Sequence, residues 1–311
     1  MRTVLATTSS FGTAAPRAVE LLRDAGFAVA TNPHSRKLTE SELIELLAHH
    51  RPIGLLAGTE PVTGAALAAA ADHLRAVARV GVGWDNVDRE AAERLGIVVS
   101  RTEGVLDQAV AELTLGMILD ALRHISLHDR DIRRGVWKKR LGRLLSGKTV
   151  GVVGFGAIGR RVAGLCRAFG ADVVFSDITP ISDITAISAE GCRQVELARL
   201  LELADIITLH ASGNACLLGE AELACCRPGV IVVNTARGGL VDEAALAAAL
   251  ARGAVGCACL DVFGQEPYSG PLGDMDHTVL TAHVGSYAAE ARQAMEEAAA
   301  KNLLAGLGVA G

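Results

Sequence analysis

Three short stretches of this chain set an arginine, a glutamate and a histidine among turn-forming residues. They are Asn234-Thr-Ala-Arg237-Gly-Gly, Asp261-Val-Phe-Gly-Gln-Glu266-Pro267 and Thr281-Ala-His283-Val-Gly285. A guanidinium holds a carboxylate through two parallel charge-assisted bonds and can polarise a neighbouring keto oxygen. An imidazole can protonate that oxygen, or deprotonate the alcohol in the reverse direction. A carboxylate on the second ring nitrogen would orient the imidazole. Arg237, Glu266 and His283 together therefore suit redox chemistry on a 2-hydroxy or 2-keto acid. Singly, each has a plainer reading: a structural histidine, a loop-ending Glu-Pro, a turn at Arg-Gly-Gly. The case rests on their following, in order, a nucleotide motif.

That motif is Thr149-Val-Gly-Val-Val-Gly-Phe-Gly-Ala-Ile-Gly-Arg160. Its β-branched start suits a buried parallel strand, and a helical pattern runs from Ala157 to Phe169. Gly154, Gly156 and Gly159 have the spacing G-x-G-x-x-G. They allow a tight turn, close approach of the backbone to a pyrophosphate, and close helix-to-strand packing. The helix N-terminus then offers free N–H groups to the phosphates. A second strand ends at Asp177, eighteen residues past Gly159, where a carboxylate would bond the adenosine ribose. No Arg or Lys follows in Ile178-Thr179-Pro180 to receive a 2′-phosphate, so NAD is favoured over NADP. A glycine-rich turn that binds nothing is the bland alternative, and Asp177 weighs against it.

These groups need a scaffold of two ordinary domains, which 311 residues can supply. Half the residues are hydrophobic and only 3% aromatic, so the cores must be built of Ala, Val, Leu and Ile. A formal charge of −5 argues against a nucleic-acid binder. The apolar run at the start is too short for a signal peptide, and no run reaches membrane-spanning length. A cytoplasmic protein is expected. The seven cysteines lack metal-ligand or disulfide patterns, so reduced structural thiols and no metal are expected.

Strand and helix alternate at short intervals through the first hundred residues. Strands are expected at 4–7, 27–31, 53–57, 76–80 and 97–100, with helices at 16–24, 39–49, 65–71 and 88–95. A long apolar helix is expected at 106–124, followed by a charged stretch at 129–143. Strands then fall at 149–153, 173–177, 193–195, 206–210, 230–235, 255–261 and 278–282, and a final helix at 287–304. Such alternation reads as parallel sheets covered on both faces, and the three motifs fall at carboxyl ends of strands. The last helix is expected to return to the first domain. The expected organisation is a discontinuous substrate domain, 1–101 with 285–311, around a nucleotide domain, 102–284.

The ordered motifs resemble the D-isomer-specific 2-hydroxyacid dehydrogenase family over nearly the whole chain, with details similar to its phosphoglycerate dehydrogenase-like branch in short form. Gly81-Val-Gly-Trp-Asp85-Asn-Val-Asp88, Ala109-Val-Ala-Glu-Leu-Thr-Leu115, Gly135-Val-Trp137 and Gly147-Lys-Thr149 also carry the resemblance. It implies an α/β protein of two doubly wound parallel-sheet domains, a Rossmann NAD-binding domain inserted in a flavodoxin-like substrate domain. It implies that Arg237, Glu266 and His283 form the catalytic triad. It places Ala157, Ile158, Asp177, His210, Thr235, Ala236, Asp261 and Gly285 along the NAD site, and the Val82 and Gly83 amides on the substrate carboxylate. It also implies a two-fold dimer. The chain departs from the pattern at Glu103 and Ala282, where Pro is usual, and at His210-Ala-Ser. Ala57-Gly58-Thr59 stands where phosphoglycerate enzymes carry Arg-Ser, while Arg79 matches another phosphate ligand.

The expected activity is NAD-dependent oxidation or reduction of a small D-2-hydroxy or 2-keto acid, with 3-phosphoglycerate and 3-phosphohydroxypyruvate favoured. A glyoxylate or hydroxypyruvate reductase is the alternative, and an NAD-sensing corepressor-like protein is the rival of another class. Arg79 has two even readings: a phosphate ligand in the cleft, or a surface arginine paired with Asp72 or Asp88.

Overall fold

In a computed structural model, residues 2–13, 15–179 and 191–309 are described. The chain divides into two compact units, Met1–Leu106 with Tyr287–Gly311, and Asp107–Ser286.

The first unit alternates β1 (Arg2–Ala6), α1 (Pro16–Asp24), β2 (Phe27–Thr31), α2 (Glu40–His50), β3 (Gly54–Ala57), α3 (Gly64–Ala69), β4 (Ala76–Arg79), α4 (Arg89–Arg94) and β5 (Val98–Arg101). The strands form one parallel sheet in the order β2-β1-β3-β4-β5. That is the flavodoxin order, whose topological switch point lies between β1 and β3. Local sequence explains the helix starts. Pro16 opens α1, and Thr39 with Glu42 forms a capping box ahead of α2. Leu5, Leu55 and Val77 are fully buried with Leu43, Leu67 and Leu74.

The second unit begins with α5 (Asp107–Arg123) and α6 (Ile125–Arg133). There follow β6 (Thr149–Val153), α7 (Ala157–Ala168), β7 (Asp172–Ser176), β8 (Cys192–Gln194), α8 (Leu197–Leu203), β9 (Ile206–Leu209), α9 (Glu220–Ala224), β10 (Val230–Asn234), α10 (Glu243–Ala251), β11 (Val255–Leu260) and β12 (Thr278–Leu280). Its parallel strands run β12-β11-β10-β9-β6-β7-β8. Counted from β6, this is the Rossmann order with β12 added at one edge. Strand β10 is buried along its whole length, as a Val/Ile run covered on both faces should be. The chain closes with α11 (Ala289–Gly306), which belongs to the first unit.

Both sheets and the element order agree with the expected two doubly wound domains. One element differs. The charged stretch at 129–143 begins inside α6, because His124 takes a left-handed φ of 55° and breaks the helix there. Pro180, read above as part of the cofactor strand end, lies outside the described residues. Among the described residues, no helix is long and apolar enough to cross a membrane, and no group of His, Cys, Asp and Glu is disposed to hold a metal.

Candidate active site

The nucleotide motif is built by close backbone approach. Gly154 ends β6 at φ +89°, and a Cβ there would meet Ala211 N at 2.5 Å and the His210 carbonyl carbon at 2.6 Å. A Cβ on Gly159 would collide with the Gly154 carbonyl oxygen, so helix and turn are in contact. Among the described residues nothing lies within 4 Å of the Cβ position of Gly156, and α7 starts there with no side-chain cap. The helix therefore presents uncapped N–H groups, at Ala157 and Ile158, to open space. That cradle suits a pyrophosphate.

Asp177 follows β7 beside this turn. Its Oδ2 accepts the Phe155 N–H at 2.6 Å and its Oδ1 accepts the Thr179 N–H at 2.7 Å. The carboxylate thus shapes the glycine turn, and each oxygen keeps a lone pair for a ribose hydroxyl. His210, after β9, bonds the Thr208 hydroxyl through Nε2 at 2.9 Å. It keeps some surface, yet desolvation of its ring pushes the imidazole down to about 3, so it stays neutral.

The three motifs meet at the carboxyl ends of β10, β11 and β12. Asn234 folds the first turn: its Nδ2 donates to Arg237 O at 2.8 Å and its Oδ1 accepts Ala236 N–H at 3.0 Å. Thr235 is tied to Thr114 of α5 by a hydroxyl pair at 2.9 Å. A Cβ on Gly238 would collide with the Phe263 backbone, so the Arg237 turn abuts the loop carrying Glu266. Glu266 receives His283 Nδ1 at 2.9 Å and 3.1 Å on its two oxygens, and also accepts the Phe263 N–H at 3.2 Å. The Glu266–Pro267 peptide is cis.

His283 sits at φ +54°, a strained conformation for a residue with a side chain. Asp261, 1% exposed, holds it there. Asp261 Oδ1 accepts the Thr281 hydroxyl at 2.6 Å and the Val284 N–H at 2.7 Å, while Oδ2 accepts the Gly285 N–H at 2.8 Å. The histidine's loop is pinned on both sides by one buried carboxylate.

In the first unit, Val82 and Gly83 follow β4. Among the described residues neither amide N–H is spent on a protein acceptor, while Gly81 is fixed by the Thr102 hydroxyl at 2.9 Å. Asp72 holds Arg51 and His73, Asp88 caps α4, and Arg79 lies at the end of β4. The Arg79 guanidinium lies across Gly81, donates to Val80 O, and meets Asn86 Oδ1 at 3.4 Å.

Residues 115–285 match the family model described as the D-isomer specific 2-hydroxyacid dehydrogenase, NAD binding domain. The chain is 39% identical over 248 residues to the glyoxylate reductase of Thermococcus litoralis, covering 76% of this chain and 74% of that protein. It is equally identical over 244 residues to the D-3-phosphoglycerate dehydrogenase of Mycobacterium leprae, covering 76% of this chain but 46% of that protein. The crystal structure of the TT0316 protein from Thermus thermophilus superposes with a TM-score of 0.89 at 35% identity, covering 98% of this chain and 97% of that one. The chain belongs to the D-isomer specific 2-hydroxyacid dehydrogenase family. It is an NAD-dependent oxidoreductase, and the Gly156 cradle with Asp177 beside it fits that cofactor.

Sequence reasoning missed the work of Asn234 and Gly238, and it gave Asp261 only a cofactor role. Asn234 and Gly238 lie inside the quoted motif, so their signal was position rather than type. The contacts of Asp261 span 20 residues and more along the chain and leave no local pattern.

Proposed function

We propose that this chain reduces small, unphosphorylated 2-keto acids such as glyoxylate or hydroxypyruvate to D-2-hydroxy acids with NADH. The observation that carries the reading is the His283–Glu266 pair, bonded through Nδ1 at the strand ends where the Arg237 turn also lies. Bound NADH supplies the hydride. Arg237 holds the substrate carboxylate and draws electron density from the keto oxygen. With Nδ1–H engaged by Glu266, His283 presents Nε2 to that oxygen and delivers a proton as the hydroxyl forms. In the first unit, the Val82 and Gly83 N–H groups after β4 are suited to receive a carboxylate. Thr235 and Ala236 border the nicotinamide, while Gly156, Ala157 and Ile158 receive the pyrophosphate. All seven cysteines are free thiols, which fits a reducing cytoplasm.

Oxidation of 3-phosphoglycerate is the second reading. Its support is Arg79 beside the β4 loop and the likeness to phosphoglycerate dehydrogenases. Against it, residue 58 is glycine and cannot ligate a phosphate with a side chain. A panel of glyoxylate, hydroxypyruvate, pyruvate and phosphohydroxypyruvate, read by NADH absorbance with NADPH in parallel, tests both. Higher kcat/KM with NADH on the unphosphorylated acids is expected; preference for phosphohydroxypyruvate would establish the second reading, and no turnover of any keto acid would defeat both.

A further inference from the structure

In the second unit, the loop after β11 has to hold a carboxylate against His283 Nδ1, yet Gly264, Gln265, Glu266 and Pro267 are all exposed. Its flanks are fixed by an aromatic contact. Phe263 stacks on Tyr268 with ring centroids 4.3 Å apart, and the Tyr268 hydroxyl accepts the Leu272 N–H at 3.2 Å. At the next residue the Gly264 N–H donates to Glu243 Oε1 at 2.7 Å, a partner 21 residues back along the chain.

Glu243 is the first residue of α10, where an acid has an ordinary explanation in the helix dipole. Here the capping falls to its neighbour: Asp242 Oδ1 accepts the Ala244 and Ala245 N–H groups, each at 3.0 Å. The half-buried Glu243 side chain instead reaches out of its helix to the loop. Helix α10 follows closely on the Arg237 turn. A Cβ on Gly238 of that turn would collide with Phe263 C and O and with Gly264 N. The Phe263–Gly264 peptide therefore touches the Arg237 turn and is bonded, through its N–H, to the helix that follows. The preceding N–H, of Phe263, donates to Glu266 Oε1 at 3.2 Å. Moving this peptide moves the frame in which Glu266 is set.

We infer that Glu243 is a positioning residue: by fixing the Gly264 N–H it sets the Glu266 carboxylate against His283 and ties that loop to the turn carrying Arg237. This rests on the proposed function, in which the His283–Glu266 pair delivers the proton. A misplacement of about 1 Å costs on the order of 10²-fold in rate, so one lost tie has a measurable effect.

Two substitutions separate this role from a charge at a helix end. Glu243→Asp keeps the charge and loses one methylene of reach; Glu243→Gln loses the charge and keeps both the reach and an acceptor oxygen. The readouts are the single-turnover rate of NADH oxidation by glyoxylate and NADH affinity by fluorescence titration. Glu243→Asp should slow the turnover about tenfold with NADH affinity held within about twofold, and Glu243→Gln should restore the rate to within about threefold of wild type. In a Glu266→Ala background there is no carboxylate to position, so adding Glu243→Asp should cost less than about twofold more. A full tenfold loss in that background would show that Glu243 acts elsewhere and overturn the inference. A slow Glu243→Gln beside a normal Glu243→Asp, or two normal variants, would overturn it as well. Should Glu243→Asp not fold, Glu243→Ala is read in its place by the same criteria. A wild type that turns over no keto acid would instead defeat the functional reading, whereas an active wild type with silent Glu243 variants defeats this inference alone.

Discussion

At the scale of single residues, the site is defined by which atoms are already spent. His283 Nδ1 is spent on Glu266, which leaves Nε2 as the only ring atom able to carry a proton to substrate. His283→Ala should cut kcat by about 10²–10⁴-fold, the usual scale for a positioned acid–base. NADH binding, followed by fluorescence titration, should survive, since the cofactor cradle is made by other elements. Near-normal turnover would remove the central assignment. Asp261 makes a second case. Asn at this position keeps one acceptor but turns an amide N–H₂ toward donors from Thr281, Val284 and Gly285. Asp261→Asn should lose about 1–3 kcal/mol of stability, the scale for unsatisfied buried donors. Because the left-handed turn at His283 loses its clamp, kcat should fall further than NADH affinity. A Tm and a kcat both close to wild type would show that the loop holds itself.

At the scale of elements, sequence pattern and structure agree where a local signal exists. Pro16, the capping box at Thr39 and the Val/Ile runs of β6 and β10 all specify their elements within a few residues. Helix α6 had no such mark: His124, not glycine, supplies the left-handed break, and the many charges of Ile125–Arg133 mask the buried Leu127. His210 shows what an element end does to chemistry. Placed after β9 with its ring desolvated, it resists protonation down to about 3, whereas an unfolded chain protonates it near 6.5. The unfolded state therefore binds one more proton between those values, and stability drains as pH falls from about 6.5 toward 3. The slope from this residue is at most about 1.4 kcal/mol per pH unit, and less with the solvent it retains. His210→Asn should flatten the decline of Tm between pH 7 and pH 5. An unchanged slope would mean the ring is hydrated and titrates normally.

At the scale of the whole molecule, the sequence declared the chemistry more clearly than its control. Arg237, Glu266 and His283 announce themselves as motifs after strand ends. Asp261 does not, because its contacts join segments 20 to 24 residues apart in the chain. Assembly lies between these extremes. In the second unit, α5 leaves Leu113, Gly116 and Met117 lining an open cavity of about 430 Å³ together with Thr278, Val279 and Leu280. The segment that follows exposes Ile132, Trp137, Leu141 and Leu144; Trp137 is 84% and Leu141 97% exposed. A run of large apolar side chains left in water is the mark of a surface that a partner covers. We propose a second copy of this chain as that partner, through a two-fold contact of 107–145. Light scattering at micromolar concentration should then give twice 32.2 kDa. Trp137→Ser with Leu141→Ser should shift the mass toward the single chain while NADH binding persists, since neither residue touches the Gly156 cradle. A wild type that scatters as a single chain would defeat the dimer.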